Sequence, residues 1–120
     1  MAIYEMGPWA TAAEIAMVEQ LGQQIGWEKG EFSGLTTHGG SLANLTALLT
    51  ARNVSLGDSW ERGLAGSSGP PVVITQADAH YSVGRSAGVL GIGTDQVVRV
   101  GLDAARRMDP NKLEEIVRQL

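Results

Sequence analysis

Two short segments of this chain combine residue types that could do chemistry. The first is Thr36-Thr37-His38-Gly39-Gly40-Ser41-Leu42-Ala43-Asn44. A phosphate needs several donors converging on it with no side chain in the way. Adjacent glycines let the backbone approach, and the start of a helix leaves its first N–H groups unpaired and partially positive. Ser41 adds a hydroxyl. On spacing alone the plainer reading has the better claim, a tight turn with Ser41 as N-cap, because many α/β turns look this way. The second segment is Asp78-Ala79-His80-Tyr81-Ser82, a few residues after an apolar run. At that end of a parallel strand, side chains face the crevice where α/β folds bind ligands, and a ring at His80 could lie over one. Read alone, His80 is more simply a loop histidine capping the next helix.

Other chemistries fit less well. No Gly-Lys-Ser/Thr follows the glycine turn, so it is not a Walker A loop. Ala43 stands where a nucleophile elbow has its second glycine. Ser41, His80 and Asp78 have the composition of a hydrolytic triad, but a two-residue separation between Asp78 and His80 fixes no relay geometry. His38, Asp78 and His80 lack the spacing of a zinc site, and no metal is expected. Gly91-Ile92-Gly93 has Gln96 where a dinucleotide fingerprint has its third glycine, so it reads as a helix stop and turn. Arg52, Arg62 and Arg85 could each reach an anion, but solvated surface positions explain them as well.

The elements that must position these residues alternate. Pro8 to about Gly26 reads as a helix, with Thr11 and Glu14 as a capping box and Ile15, Val18, Leu21 and Ile25 at helical spacing. Gly26 suits its C-terminus. Glu31–Leu35 reads as a short strand. Ser41 to about Asn53 is a helix with Leu42, Leu45, Leu48 and Leu49 on one face. Asn53–Pro71 is a long loop full of breakers, including Gly66-Ser67-Ser68-Gly69-Pro70-Pro71. Val72–Thr75 has the β-branched character of a strand buried on both faces. Tyr81 to about Leu90 is a helix stopped by Gly91, and Val97–Val100 is another strand. Asp109-Pro110 opens a last helix with Leu113, Ile116, Val117 and Leu120 on its apolar side. The order predicts an α/β architecture with a largely parallel sheet and flanking helices.

Composition narrows the function classes. At 120 residues the chain is long enough for one domain with a core, and 43% apolar with 18% charged residues is a globular composition. The net charge is −4 and the basic residues are scattered, which argues against nucleic acid as a partner. Cysteine is absent, which removes disulfides, thiolate metal sites and a cysteine nucleophile and suits a cytoplasmic protein. No signal peptide is expected, since Glu5, Pro8 and Glu14 interrupt any early apolar run. No run approaches the roughly 20 apolar residues of a membrane span.

Taken in order, several segments resemble the pyridoxal-phosphate-dependent decarboxylases of the glutamate and aromatic-amino-acid group. Tyr4-Glu5-Met6-Gly7-Pro8 and the helix with Glu14 look like that family's opening segment. Gly34 through Leu45, with Ala47-Leu48 and Ala51-Arg52, is similar to its phosphate-binding turn and helix. Asp78-Ala79-His80-Tyr81-Ser82-Val83 with Gly91-Ile92-Gly93 resembles its histidine segment, and Asp103 through Pro110 with Leu113 the run before its next helix. The order and spacing of these segments outweigh the plainer reading of each.

The resemblance implies that residues 1–120 form a single, partial fold-type-I large domain. It implies pyridoxal 5'-phosphate as cofactor, held by the Gly40 and Ser41 N–H groups and the Ser41 hydroxyl, with His80 stacked on the pyridine ring. It implies a lyase removing the α-carboxylate of an amino acid, the cofactor acting as electron sink. The family also needs a Schiff-base lysine and an aspartate on the pyridine nitrogen, both later than the histidine segment. The two lysines here, Lys29 and Lys112, match neither position, so this chain alone is expected to be inactive. In the family the sheet's first strand is not a neighbour of the two later strands present here, and strands missing from this chain lie between them, which leaves edges open, so a homodimer or larger assembly is expected. The rival readings are a non-catalytic module binding phosphate or pyridoxal phosphate, and a self-associating structural remnant.

Overall fold

The computed structural model describes residues 6–65, 69 and 71–120. Tyr4 and Glu5 of the opening segment, and Gly66, Ser67, Ser68 and Pro70 of the long loop, lie outside the described residues. The chain divides into two compact units, Met1–His38 and Gly39–Leu120.

In the first unit, helix α1 (Pro8–Gln24) starts one residue after its N-cap, Gly7. Proline at this first position gives up an N–H that no helical carbonyl would have met, and its fixed φ already suits the helix. Thr11 is therefore not the cap. It lies in the first turn and donates its hydroxyl to the Gly7 carbonyl at 3.0 Å. Glu14 does not close a capping box either, because its Oε1 accepts from the Thr36 backbone N–H at 2.7 Å and from the Thr36 hydroxyl at 2.5 Å. Gly26, at φ +90°, ends the helix in the left-handed conformation expected of it.

The strand expected at Glu31–Leu35 is absent: the segment has no ladder partner among the described residues. Its residues are used otherwise. Phe32 lies so close to Gly22 that a methyl there would overlap its ring, and the Phe32 and Trp27 rings sit 5.4 Å apart. Side-chain packing against α1 has taken the place of backbone pairing.

The second unit carries the α/β layering. Helix α2 (Gly40–Ser55) is followed by the short helix α3 (Ser59–Arg62), inside the stretch expected to be loop throughout. Strand β1 (Val73–Gln76) leads to helix α4 (Ser82–Val89), then to a 3-10 turn over Thr94–Gln96 and strand β2 (Val97–Val100). Helix α5 (Pro110–Gln119) closes the chain, with Asp109 as N-cap accepting from the Asn111 N–H at 2.9 Å.

β1 and β2 pair in parallel, Val73 opposite Val97 and Gln76 opposite Val100. β1 is half-buried along its length rather than covered on both faces. Helix α4 packs mainly against α2. Among the described residues the buried apolar ones are Ala87 on α4, Ile92 just after it and Val100 on β2, and Ser82 and Ser86 of α4 are buried as well. Gly91 and Gly93, both at positive φ, let the chain turn back so that Ile92 and Gly93 donate to the Ala87 carbonyl. That is the helix stop the sequence pointed to. A partial domain with a small parallel sheet and flanking helices results.

Candidate cofactor-binding site

The glycine turn is built on Gly39, which has φ 98° and ψ 167° and serves as the N-cap of α2. Almost only glycine occupies that backbone region without strain. Ser41 is thus not the cap but a residue of the first helical turn, and its side chain is exposed. A helix geometry gives the first N–H groups, those of Gly40 and its successors, no carbonyl of their own helix. No acidic residue in that first turn opposes an anion, and a Cβ placed on Gly40 would meet nothing within 4 Å. Backbone donors, a hydroxyl, the positive end of a helix and open space in front of them fit a phosphate dianion.

His80 follows β1 through a turn in which Ala79 donates to the Gln76 carbonyl. The N-cap of α4 is Tyr81, one residue beyond the expected histidine. His80 still serves the helix start from just outside it: its carbonyl accepts from Val83 N–H, and its Nδ1 accepts from Ser82 N–H at 3.3 Å. The ring is exposed, tilted 40° against Tyr81 with centroids 4.2 Å apart, and the Arg85 guanidinium lies 4.7 Å from the Tyr81 ring centre.

Two residues that composition and spacing gave no role tie the segments together. Ser82 Oγ is 2.8 Å from His80 Nδ1, and Asn44 Nδ2 donates to the same Oγ at 2.7 Å. Asn44 is on α2, three residues after Ser41, so the helix opened by the glycine turn reaches the histidine through one hydroxyl. Ser82 is 1% exposed, which shields both bonds from water. The two-residue step from His80 to Ser82, common where a side chain caps its own helix, was the available signal. The Asn44 contact spans 38 residues and had none.

The remaining candidates are occupied elsewhere. Asp78 pairs with Arg106, not with His80, which removes the relay a triad would need. Arg52 donates to the Leu90 carbonyl at 3.0 Å and to Asn53, pinning the end of α2 to the end of α4. Arg62 pairs with Asp58 and Lys29 with Glu19. Lys112 lies 3.5 Å from the Leu102 carbonyl and 4.0 Å from Asp109. Among the described residues no group of His, Asp and Glu is arranged to hold a metal ion, and no helix is long and apolar enough to cross a membrane.

A glycine-opened helix and a strand-end histidine are joined in one layered α/β unit with a candidate ligand site, and comparison with known proteins gives the class. The family model of the pyridoxal-dependent decarboxylase conserved domain matches residues 1–120. Human acidic amino acid decarboxylase GADL1 is 38% identical over 117 residues, 97% of this chain and 22% of that protein. Mouse cysteine sulfinic acid decarboxylase is 36% identical over 112 residues, 92% of this chain and 22% of that protein. The crystal structure of mouse CSAD superimposes with a TM-score of 0.87 at 34% identity, over 97% of this chain and 24% of that one. The chain therefore belongs to the pyridoxal-dependent decarboxylase family, whose cofactor is pyridoxal phosphate, and it spans about a fifth of the length of the curated relatives it matches.

Proposed function

We propose that this chain is the part of a pyridoxal-phosphate-dependent amino-acid decarboxylase that holds the cofactor's phosphate and covers one face of its ring. The observation that carries the reading is the Asn44–Ser82–His80 hydrogen-bond chain. It joins the helix opened by Gly39 to the His80 ring, so the two halves of the proposed site belong to one unit. The Gly40 and Ser41 N–H groups and the Ser41 hydroxyl bind the phosphate, and His80 lies against the pyridine ring. Bound there, the cofactor supplies an electron sink for the bond that releases the carboxylate. Neither lysine matches the position of the family's Schiff-base lysine: Lys29 precedes the glycine turn and Lys112 lies at the start of α5, so decarboxylation by this chain alone is not expected. Self-association is part of the same reading, supported by open strand edges and exposed apolar side chains.

Calorimetric titration with pyridoxal phosphate tests the cofactor reading, with pyridoxal and inorganic phosphate as controls and Ser41→Asp as a charge-repulsion variant. The expected result is saturable binding that requires the phosphate and is lost in Ser41→Asp. Equal binding of inorganic phosphate and pyridoxal phosphate would favour a plain phosphate-binding module. A folded chain that binds neither would overturn the reading.

A further inference from the structure

We propose that Ser82 and Asn44 are positioning residues that fix the neutral His80 ring as its Nε2–H tautomer, making its outer edge a hydrogen-bond donor and not a base. The direction of the chain of bonds follows from what each atom can do. The Ser82 backbone N–H, 3.3 Å from His80 Nδ1, can only donate. Nδ1 must therefore offer its lone pair. The Ser82 hydroxyl, 2.8 Å from the same nitrogen, then donates as well, and its oxygen lone pairs are left to accept. Asn44 Nδ2, 2.7 Å away, supplies that donor. Every proton is accounted for: Asn44 to Ser82, Ser82 to Nδ1, and the ring's own proton on Nε2.

The opposite arrangement, with a proton on Nδ1, would point two hydrogens at each other across the Ser82 N–H contact. It would do so beside Ser82, which is 1% exposed and so gives water little access from its side. An unmade hydrogen bond costs most in such a place. The consequence for a ligand rests on the reading above: a neutral His80 offers Nε2–H to an acceptor such as a carboxylate oxygen and takes no proton at that atom. The tautomer itself depends only on this chain, so it holds or fails independently of cofactor binding.

The test is nitrogen NMR of the histidine-labelled chain without cofactor, at a pH where the ring is neutral. His38 and His80 are the two histidines, and His38→Gln identifies the His80 signals. The expected spectrum has a pyridine-type Nδ1 and a pyrrole-type Nε2. Ser82→Ala removes the hydroxyl donor but keeps the backbone N–H, so it should shift both nitrogens part of the way toward an averaged mixture, and Ser82→Thr should restore the full bias. Asn44→Asp replaces the donor with a carboxylate that captures the Ser82 proton, and should move protonation toward Nδ1. A pyrrole-type Nδ1 or an even mixture in the unmodified chain would overturn the proposal, whether or not any variant folds. So would a pattern unchanged in folded Ser82→Ala and Asn44→Asp. Failure of the calorimetric titration with the expected nitrogen pattern would remove the cofactor reading and leave the tautomer standing.

Discussion

Asp103 shows how much a single half-buried carboxylate organises in this chain. Its Oδ1 accepts from the backbone N–H groups of Ala105 and Arg107 at 2.8 and 2.9 Å, and its Oδ2 from Arg107 Nε at 2.9 Å. Together with the Asp103 N–H bond to the Arg107 carbonyl, these close the turn that carries the chain from β2 to α5. The Arg107 N–H, joined by the Arg107 side chain and the Ala105 N–H, outweighs partial burial and holds the Asp103 carboxyl below its ordinary value of 3.8. A carboxyl whose folded value is depressed contributes stability that is complete above its unfolded value and disappears as pH falls through the folded one. Asp103→Asn should therefore lower the denaturation midpoint at neutral pH, and the gap from the unmodified chain should close in acid below that ordinary value. A gap that stays constant from neutral pH into acid would mean that the carboxylate's charge plays no part. Asp78 makes the complementary point. Its place two residues before His80 suggested a partnership, and its partner is Arg106, 28 residues on. Short separation in sequence says little about which way two side chains leave the backbone.

Elements were legible where the local code and the packing agree. β2 and the start of α5 lie where the β-branched run and the Asp-Pro pair put them, and α2 where its leucine spacing does. The failures have a common cause. Thr11 and Glu14 form a good capping box on paper, but Pro8, after the Gly7 cap, opens the helix four residues earlier and Thr36 claims the Glu14 carboxylate from outside α1. Glu31–Leu35 has strand-like residues but no partner strand among the described residues, and a strand is a property of two segments. In the site, Gly40, Ser41 and His80 could be singled out from the sequence, whereas Asn44 could not, because its role is a contact between helices distant in the chain. The element scale also separates the two glycines of the turn. Gly39 sits at φ +98°, a conformation that costs another residue on the order of 1–3 kcal/mol. Gly40 is in the helix with nothing within 4 Å of a built Cβ. Gly39→Ala should lower stability by about that amount in chemical denaturation. Gly40→Ala should leave it unchanged or raise it by up to about 1 kcal/mol. Yet Gly40→Ala should weaken pyridoxal phosphate binding, because the methyl enters the space where the phosphate would lie. Equal stability losses in the two variants would show that the turn conformation is not what Gly39 is for.

Among the described residues, more large apolar side chains are exposed than buried. Ala87, Ile92 and Val100 are the buried apolar residues among those described, while Trp9 is 89%, Val54 79% and Trp60 68% exposed. Large exposed apolar side chains in this number mark surfaces that associate. The two-stranded sheet adds a directional feature. Ala77 donates to the Val100 carbonyl, which fixes the phase of the ladder. Val98 and Val100 turn their peptide groups toward β1, and Val97 and Arg99 turn theirs outward. β2 thus presents unpaired backbone groups along its outer edge among the described residues, and β1 does so on the other side. Such edges pair with another copy unless something covers them. The expected behaviour in sedimentation velocity is a mass that rises above the 12.6 kDa protomer as concentration increases. Arg99→Pro removes an outward-facing N–H and blocks strand addition on that edge, so it should lower the associated fraction without abolishing folding. If association persists undiminished in that variant, exposed helix faces and not the strand edge join the copies. A folded chain that sediments as a single protomer at every concentration would show that neither the edges nor the exposed tryptophans are sufficient, and the self-associating reading would fall.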